Sequence, residues 1–138
     1  MKNIIIDTNL LISFITDRNL EQQEKAARLF EQTSRLKSAV ICHQNVIAEF
    51  VYVMDKLYAV GKTEIADIVT DFFKMPGVKL STIFDYKVVF ELWPKKIPDF
   101  GDAIIASLQK HYPNASVATF DVKFQKALKK ISVEIFGF

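Results

Sequence analysis

Short apolar runs alternate with longer segments of helical periodicity along this chain. The runs at 4–6, 38–42, 78–82, 116–120 and 132–136 are short and rich in β-branched residues. Polar or turn residues bound each of them. This pattern is typical of buried strands. The sequence therefore predicts five strands.

Between these runs, apolar residues recur at three- and four-residue spacing. From Asn45, for example, Ile47, Phe50, Val51 and Met54 fall on one face of a helix. Gly61 is expected to end that helix, and Thr63 is expected to cap the next one. The other predicted helices cover 10–15, 20–34, 84–95, 100–112 and 124–131.

Strands that alternate with helices predict a parallel sheet covered on both faces. The 138 residues are the length of one compact domain rather than two. We therefore expect a single domain over 1–138. Its predicted fold class is a three-layer α/β/α sandwich, Rossmann-like, with a central, mostly parallel five-stranded sheet.

Composition narrows the function only slightly. The formal net charge of +2 is too small to identify a nucleic-acid-binding protein. Cys42 is the only cysteine, so an intrachain disulfide is impossible; we expect a reducing cytoplasmic location and a buried thiol. With only His43 and His111 beside it, a structural zinc site is not expected. Asp7 interrupts the apolar N-terminal segment, so neither an export signal nor a membrane span is expected.

Four acids stand where a carboxylate is not needed for solubility. Asp7 and Asp121 each follow an apolar strand directly, at the point where the strand leaves the sheet. Glu49 falls in the first turn of the predicted helix after the second strand, with valines at i−3 and i+4. Asp102 opens a helix whose next six residues, AIIASL, carry no charge. The remaining acids lie on polar helix faces or in charged segments.

The topology predicted for the sheet brings these four acids together. A helix that follows a parallel strand begins at the carboxyl edge of the sheet, and a helix that leads into a strand also begins there. Ligands bind at this edge where the strand order reverses. Clustered carboxylates repel one another unless a divalent cation neutralises them or a proton is taken up. Oxygen ligands favour Mg²⁺ or Mn²⁺ over zinc.

Each of these acids also has a purely structural alternative. Asp7 and Asp121 are suited to capping the helices that follow them, and Asp102 is suited to a capping box with Asp99. Taken singly, each acid is explained as well by capping as by chemistry. The convergence of four of them on one predicted crevice favours a functional site.

The motifs IIIDTN, NVIAEF, DAIIAS and ATFD, in this order and spacing, resemble those of the PIN-domain family of nucleases. The resemblance covers essentially the whole chain and is nearest to small VapC-type toxins of toxin–antitoxin pairs. It implies a PIN-like fold and an acidic quartet that is both catalytic and metal-binding. The quartet would consist of Asp7, Glu49, Asp102 and Asp121. Asn9 and Thr119 would be supporting groups, and the safer interpretation of Asp99 is a helix cap.

The resemblance implies endonucleolytic hydrolysis of RNA with one or two Mg²⁺ or Mn²⁺ ions. It also implies a homodimer and an antitoxin partner. Lysines near the acids are candidates for contact with the RNA backbone, although solvated lysines look the same in sequence. His43 would either contact RNA or cap the helix after it. The lysines are Lys95, Lys96, Lys123 and Lys126.

Aromatic residues exceed what one small core needs, so some of them are expected to form a dimer or antitoxin surface. The candidates are Phe72, Phe73, Phe84 and Trp93. Three other functions stay open from the sequence. One is an RNA-processing nuclease that is not a toxin, and another is a binding module without activity. The third is a phosphohydrolase with Asp7 as nucleophile, although such enzymes typically carry an aspartate where this chain has Asn9.

Overall fold

The computed structural model describes residues 1–35 and 37–138 and alternates strands with helices. Its strands are β1 (Lys2–Ile6), β2 (Ser38–His43), β3 (Val78–Ser81) and β4 (Ala115–Ala118). Its helices are α1 (Thr8–Ile15), α2 (Leu20–Ser34), α3 (Gln44–Lys56), α4 (Lys62–Lys74), α5 (Tyr86–Leu92), α6 (Phe100–Ser107) and α7 (Val122–Lys130). A 3₁₀ helix, Leu108–His111, extends α6.

The described residues form one sheet of four strands in the order β3-β2-β1-β4. All three pairings are parallel: Ile5 pairs with Ile41 and Val117, and Val40 pairs with Val78. The chain leaves β1 in one direction to build β2 and β3, and then returns to place β4 on the other side of β1. The strand order therefore reverses between β1 and β4, which is where open parallel sheets bind ligands.

The predicted fifth strand is wrong. The segment 132–136 runs beside β4 but forms only a single parallel bridge, between Val117 and Ile135. Two backbone hydrogen bonds of 2.9 Å, Val117 N to the Glu134 carbonyl and Phe136 N to the Val117 carbonyl, hold it there. Ser132 enters the segment with a φ of 60°, so the chain turns sharply after α7 and does not extend the pairing.

The central strands are buried on both faces. Every residue of β2 and β4 is buried, as are Ile4, Ile5 and Ile6 of β1. Because successive strand residues point to opposite faces, helices must cover both sides of these strands. Cys42 lies in this core with no exposed surface, and burial raises the pKa of its thiol to about 12. The predicted buried thiol is confirmed.

Helix ends follow local capping chemistry. Asn19 accepts a hydrogen bond from the Gln22 backbone N–H, and α2 spans the predicted residues 20–34. The prediction for α4 is wrong, because Gly61 is its N-cap and Thr63 lies within the helix. In the described part of the chain, no helix combines the length and the apolar character that crossing a membrane requires.

Candidate active site

Asp7 lies at the end of β1 and is 5% exposed. One carboxylate oxygen accepts a hydrogen bond of 2.9 Å from the Leu10 backbone N–H, which caps α1. The other oxygen accepts a short hydrogen bond from the Thr119 hydroxyl. Burial raises the pKa of Asp7 to about 6, against the lowering effect of these two donors, and the nearby charge of Asp121 adds to the rise.

Asp121 lies across the reversal point, after β4. It caps α7 by accepting hydrogen bonds of 2.9 Å and 3.2 Å from the backbone N–H groups of Lys123 and Phe124. Its own N–H donates 3.1 Å to the Thr119 hydroxyl oxygen, which in turn donates to Asp7. A continuous hydrogen-bond chain therefore links the ends of β1 and β4. Asp7 and Asp121 are helix caps and also line one crevice.

Glu49 reaches the same crevice from the second turn of α3, rather than from the first turn as predicted. The Thr8 hydroxyl donates 3.2 Å to one carboxylate oxygen, and the Asn45 side-chain amide donates 2.8 Å to the other. Gly101 lies directly against it: a Cβ atom at Gly101 would lie 2.6 Å from Oε1 of Glu49. Partial burial raises the pKa of Glu49, and the neighbouring charge of Asp99 adds to this rise.

Asp102 lies in the first turn of α6, whose N-cap is Asp99. The carboxylate of Asp99 accepts a hydrogen bond of 2.9 Å from the Asp102 backbone N–H, as the capping alternative predicted. Burial is the main cause that raises the pKa of Asp102 to about 7. Four neighbouring carboxylates add to the rise: Asp99, Asp7, Asp121 and Glu49.

The crevice between these acids has a volume of about 110 Å³, which is room for several water molecules. All of its polar lining groups offer oxygen or amide atoms, and the donor chemistry suits a hard divalent cation. Among residues 1–35 and 37–138, however, no three His, Cys, Asp or Glu side chains already form a group able to hold an ion. Binding would therefore require the carboxylates to move closer together, and the exposed Glu49 and Asp121 have the freedom to do so.

The supporting residues lie where they were expected. Asn9 lines the crevice, and Thr119 is fully buried behind Asp7. Lys123 and Lys126 are exposed on α7, directly after Asp121. They remain candidates for contact with a nucleic-acid backbone.

Lys95 and Lys96 do not lie near the acids, contrary to the prediction. They line a separate cavity of about 500 Å³ that shares no residue with the acidic crevice. Its wall includes Ala106 and Gln109, which lie one and two turns along the chain from Asp102. Their closeness to Asp102 in sequence was misleading because the segment that carries them packs against the far end of α6.

His43 is not available to contact RNA. It is 2% exposed, and its Nδ1 accepts a hydrogen bond of 3.0 Å from the Asn45 backbone N–H. Its Nε2 must then carry the proton, which it donates to the Ile83 carbonyl at 2.8 Å. Burial lowers the pKa of the ring. His43 is therefore the cap of α3, as one of the two alternatives predicted.

Sequence reasoning missed three residues that position Glu49, namely Thr8, Asn45 and Gly101. Asn45 lies at i−4 from Glu49, a spacing that places the two side chains on one helix face, so this contact was open to prediction. The contacts from Thr8 and Gly101 join elements that are distant in sequence. No local signal predicts them.

A parallel α/β fold with crowded carboxylates at its reversal point defines a class of protein that handles phosphate groups, with or without a metal ion. The model of the PIN domain matches residues 4–130 of this chain. The chain therefore belongs to the PIN-domain family, whose members are nucleases and generally depend on divalent metal ions.

Solved structures share this fold. VapC20 of Mycobacterium tuberculosis, a toxin that cleaves the sarcin–ricin loop, superposes with a TM-score of 0.67 at 15% identity, over 90% of this chain and 94% of its own. The PIN-domain endonuclease Utp24 superposes with a TM-score of 0.54 at 20% identity, over 94% of this chain and 78% of its own. A search of curated proteins gave no match.

Proposed function

We propose that this protein is a divalent-metal-dependent endoribonuclease and the toxin of a type II toxin–antitoxin pair. The observation that carries the proposal is the convergence of Asp7, Glu49, Asp102 and Asp121 on one crevice in a PIN-domain chain. The raised pKa of Asp102 supports it, because a cation would relieve the repulsion among these carboxylates.

The four acids would hold one or two Mg²⁺ or Mn²⁺ ions. When bound, such an ion lowers the pKa of a water molecule and neutralises charge on the scissile phosphate. Thr119 and the Leu10 N–H fix the carboxylate of Asp7, and Thr8 and Asn45 fix that of Glu49. Asp7 is poorly suited to act as a covalent nucleophile, because both of its oxygens already accept hydrogen bonds within a buried site.

RNA is the proposed substrate because VapC20 shares the fold over most of both chains and cleaves the sarcin–ricin loop. Lys123 and Lys126, on the helix that Asp121 caps, would bind the RNA backbone on one side of the crevice. The protein would act in the cytoplasm as a single-domain enzyme.

Exposed aromatic rings support a protein partner. Phe84, Phe90 and Phe100 are 46%, 52% and 37% exposed, and they form one cluster together with Trp93. We propose that this cluster is buried in a homodimer or against an antitoxin. Of the other predicted surface aromatics, Phe73 is half-buried and Phe72 lies in the core against Phe30, so Phe72 is not part of such a surface.

The test is cleavage of single-stranded and structured RNAs by purified protein with Mg²⁺ or Mn²⁺. We expect cleavage by wild type, its loss in chelator, and a decrease of at least about a hundredfold in Asp7→Asn and Asp102→Asn. Asp67→Asn is the matched control, because this exposed acid on α4 lies outside the crevice and should leave the rate unchanged.

Cleavage that persists in both variants would refute the metal-nuclease proposal. Toxicity on expression, with rescue by a small protein from the adjacent reading frame, tests the toxin proposal separately. Active enzyme without toxicity would indicate an RNA-processing nuclease instead. A folded wild type that binds RNA but never cleaves it would indicate a binding module.

A further inference from the structure

A second pocket adjoins the acidic crevice and shares Asn9 and Asp121 with it. It has a volume of about 430 Å³, within the range of small-molecule sites. We call it the donor pocket and define it by its lining residues. These are Asn9, Arg18, Asn19, Gln22, Phe120 and Asp121.

Arg18 is fixed in this pocket by a built network. Its Nη2 donates 3.0 Å to the Asn9 carbonyl and 3.0 Å to the Ser13 hydroxyl oxygen, and its Nε donates 3.3 Å to the same hydroxyl. Ser13 is fully buried. Within the described residues Arg18 forms no salt bridge, so no carboxylate neutralises its charge. A guanidinium held in this way is ready to bind a phosphate.

The same network determines which atoms the amides present. A guanidinium can only donate, so Ser13 accepts from Arg18 and must give its own proton to Oε1 of Gln22, 2.9 Å away. The NH₂ group of Gln22 is thereby left for the pocket. Asn19 likewise uses its side-chain oxygen to accept from the Gln22 backbone N–H at 3.0 Å. Both amides therefore present donors.

Phe120 supplies an aromatic surface beside these donors. It is half-buried, and Phe138 stacks on it with ring centroids 4.6 Å apart and an interplanar angle of 23°. The part of the ring that lines the pocket can stack with a base. Aromatic rings combined with fixed donors are how proteins bind unpaired RNA bases.

We propose that the donor pocket binds one unpaired RNA nucleotide next to the scissile phosphate and selects a base rich in hydrogen-bond acceptors, guanine or uracil. Arg18 would bind the phosphate, Phe120 would stack on the base, and the Gln22 and Asn19 amides would donate to its edge. This inference rests on the proposed ribonuclease activity and adds a nucleotide preference to it.

The test is to cleave a random-sequence RNA pool with Mn²⁺ and to sequence the ends. We expect guanine or uracil to be enriched about tenfold over adenine and cytosine at one position beside the cut. Gln22→Glu still accepts from Ser13 but replaces the amide donors with acceptor oxygens. It should shift the preference at that position towards adenine or cytosine, which carry amino donors.

Phe120→Leu keeps an apolar packing group but removes the stacking surface, and Phe120→Tyr retains it. We expect Phe120→Leu to raise KM about tenfold with kcat little changed, and Phe120→Tyr to restore it. Unchanged thermal unfolding of the variants would exclude misfolding. Cleavage without base preference, or with a preference that Gln22→Glu leaves unaltered, would overturn this inference alone. No cleavage by wild type would overturn the ribonuclease proposal and this inference with it.

Discussion

Replacing Asp7 by asparagine isolates the cost of a buried charge at this site. The pKa of Asp7 rises from 3.8 to about 6 in the folded protein. Between these values the folded chain keeps a proton that the unfolded chain has released, so stability falls as the pH increases through this range. At about 1.4 kcal/mol per pH unit, the ionised group costs the folded state about 3 kcal/mol above pH 6.

Asparagine retains an oxygen for the Leu10 N–H and carries no charge. Relative to wild type, Asp7→Asn should therefore become more stable by about 3 kcal/mol between about pH 4 and pH 8 in metal-free buffer. Urea unfolding at several pH values, followed by Trp93 fluorescence, measures this change. Asp67→Asn should show the wild-type profile. Parallel profiles for Asp7→Asn and wild type would refute the claim that ionised Asp7 is destabilising.

Three further predictions concern positioning, charge and metal. Gly101→Ala should displace the flexible Glu49 side chain 2.6 Å away, reducing cleavage at least about tenfold while unfolding changes little; an unchanged rate would show that the position of Glu49 is immaterial. Lys123→Ala should lower the salt dependence of RNA affinity by about 0.7 per phosphate contact, whereas Lys95→Ala should not, and equal slopes would contradict this difference. Mn²⁺ at about 100 times its Kd should stabilise wild type by about 2.7 kcal/mol in urea unfolding, an effect that Asp102→Asn should remove; equal stabilisation of both would place the ion elsewhere.

Local sequence was enough to place the acids on one edge. Asp7 and Asp121 follow apolar strands directly, and Asp102 begins an uncharged helix, so their positions depend only on the direction of parallel strands. Most helices also followed from apolar spacing and end signals, as in α2. These features depend on neighbours a few residues away, which a single sequence contains.

The errors arose where the outcome depends on residues distant along the chain. The segment 132–136 alternates like a strand, but a sharp turn at Ser132 limits it to one bridge with β4. Lys95 precedes Asp102 closely in sequence and yet lines another cavity. The donor pocket was missed because it depends on how Arg18 and Gln22 meet around Ser13, between α1 and α2.

The most direct measurement of the central claim is calorimetric titration of the protein with Mn²⁺ near pH 6.5, in buffers of different ionisation enthalpy. If the crowded acids hold the ion, binding must displace protons from the carboxylates whose pKa values are about 6 and about 7. We predict the release of about one proton per site for wild type, and weaker binding with less release for Asp102→Asn. Absence of Mn²⁺ binding, or identical binding and proton release in both proteins, would contradict a metal site at this crevice.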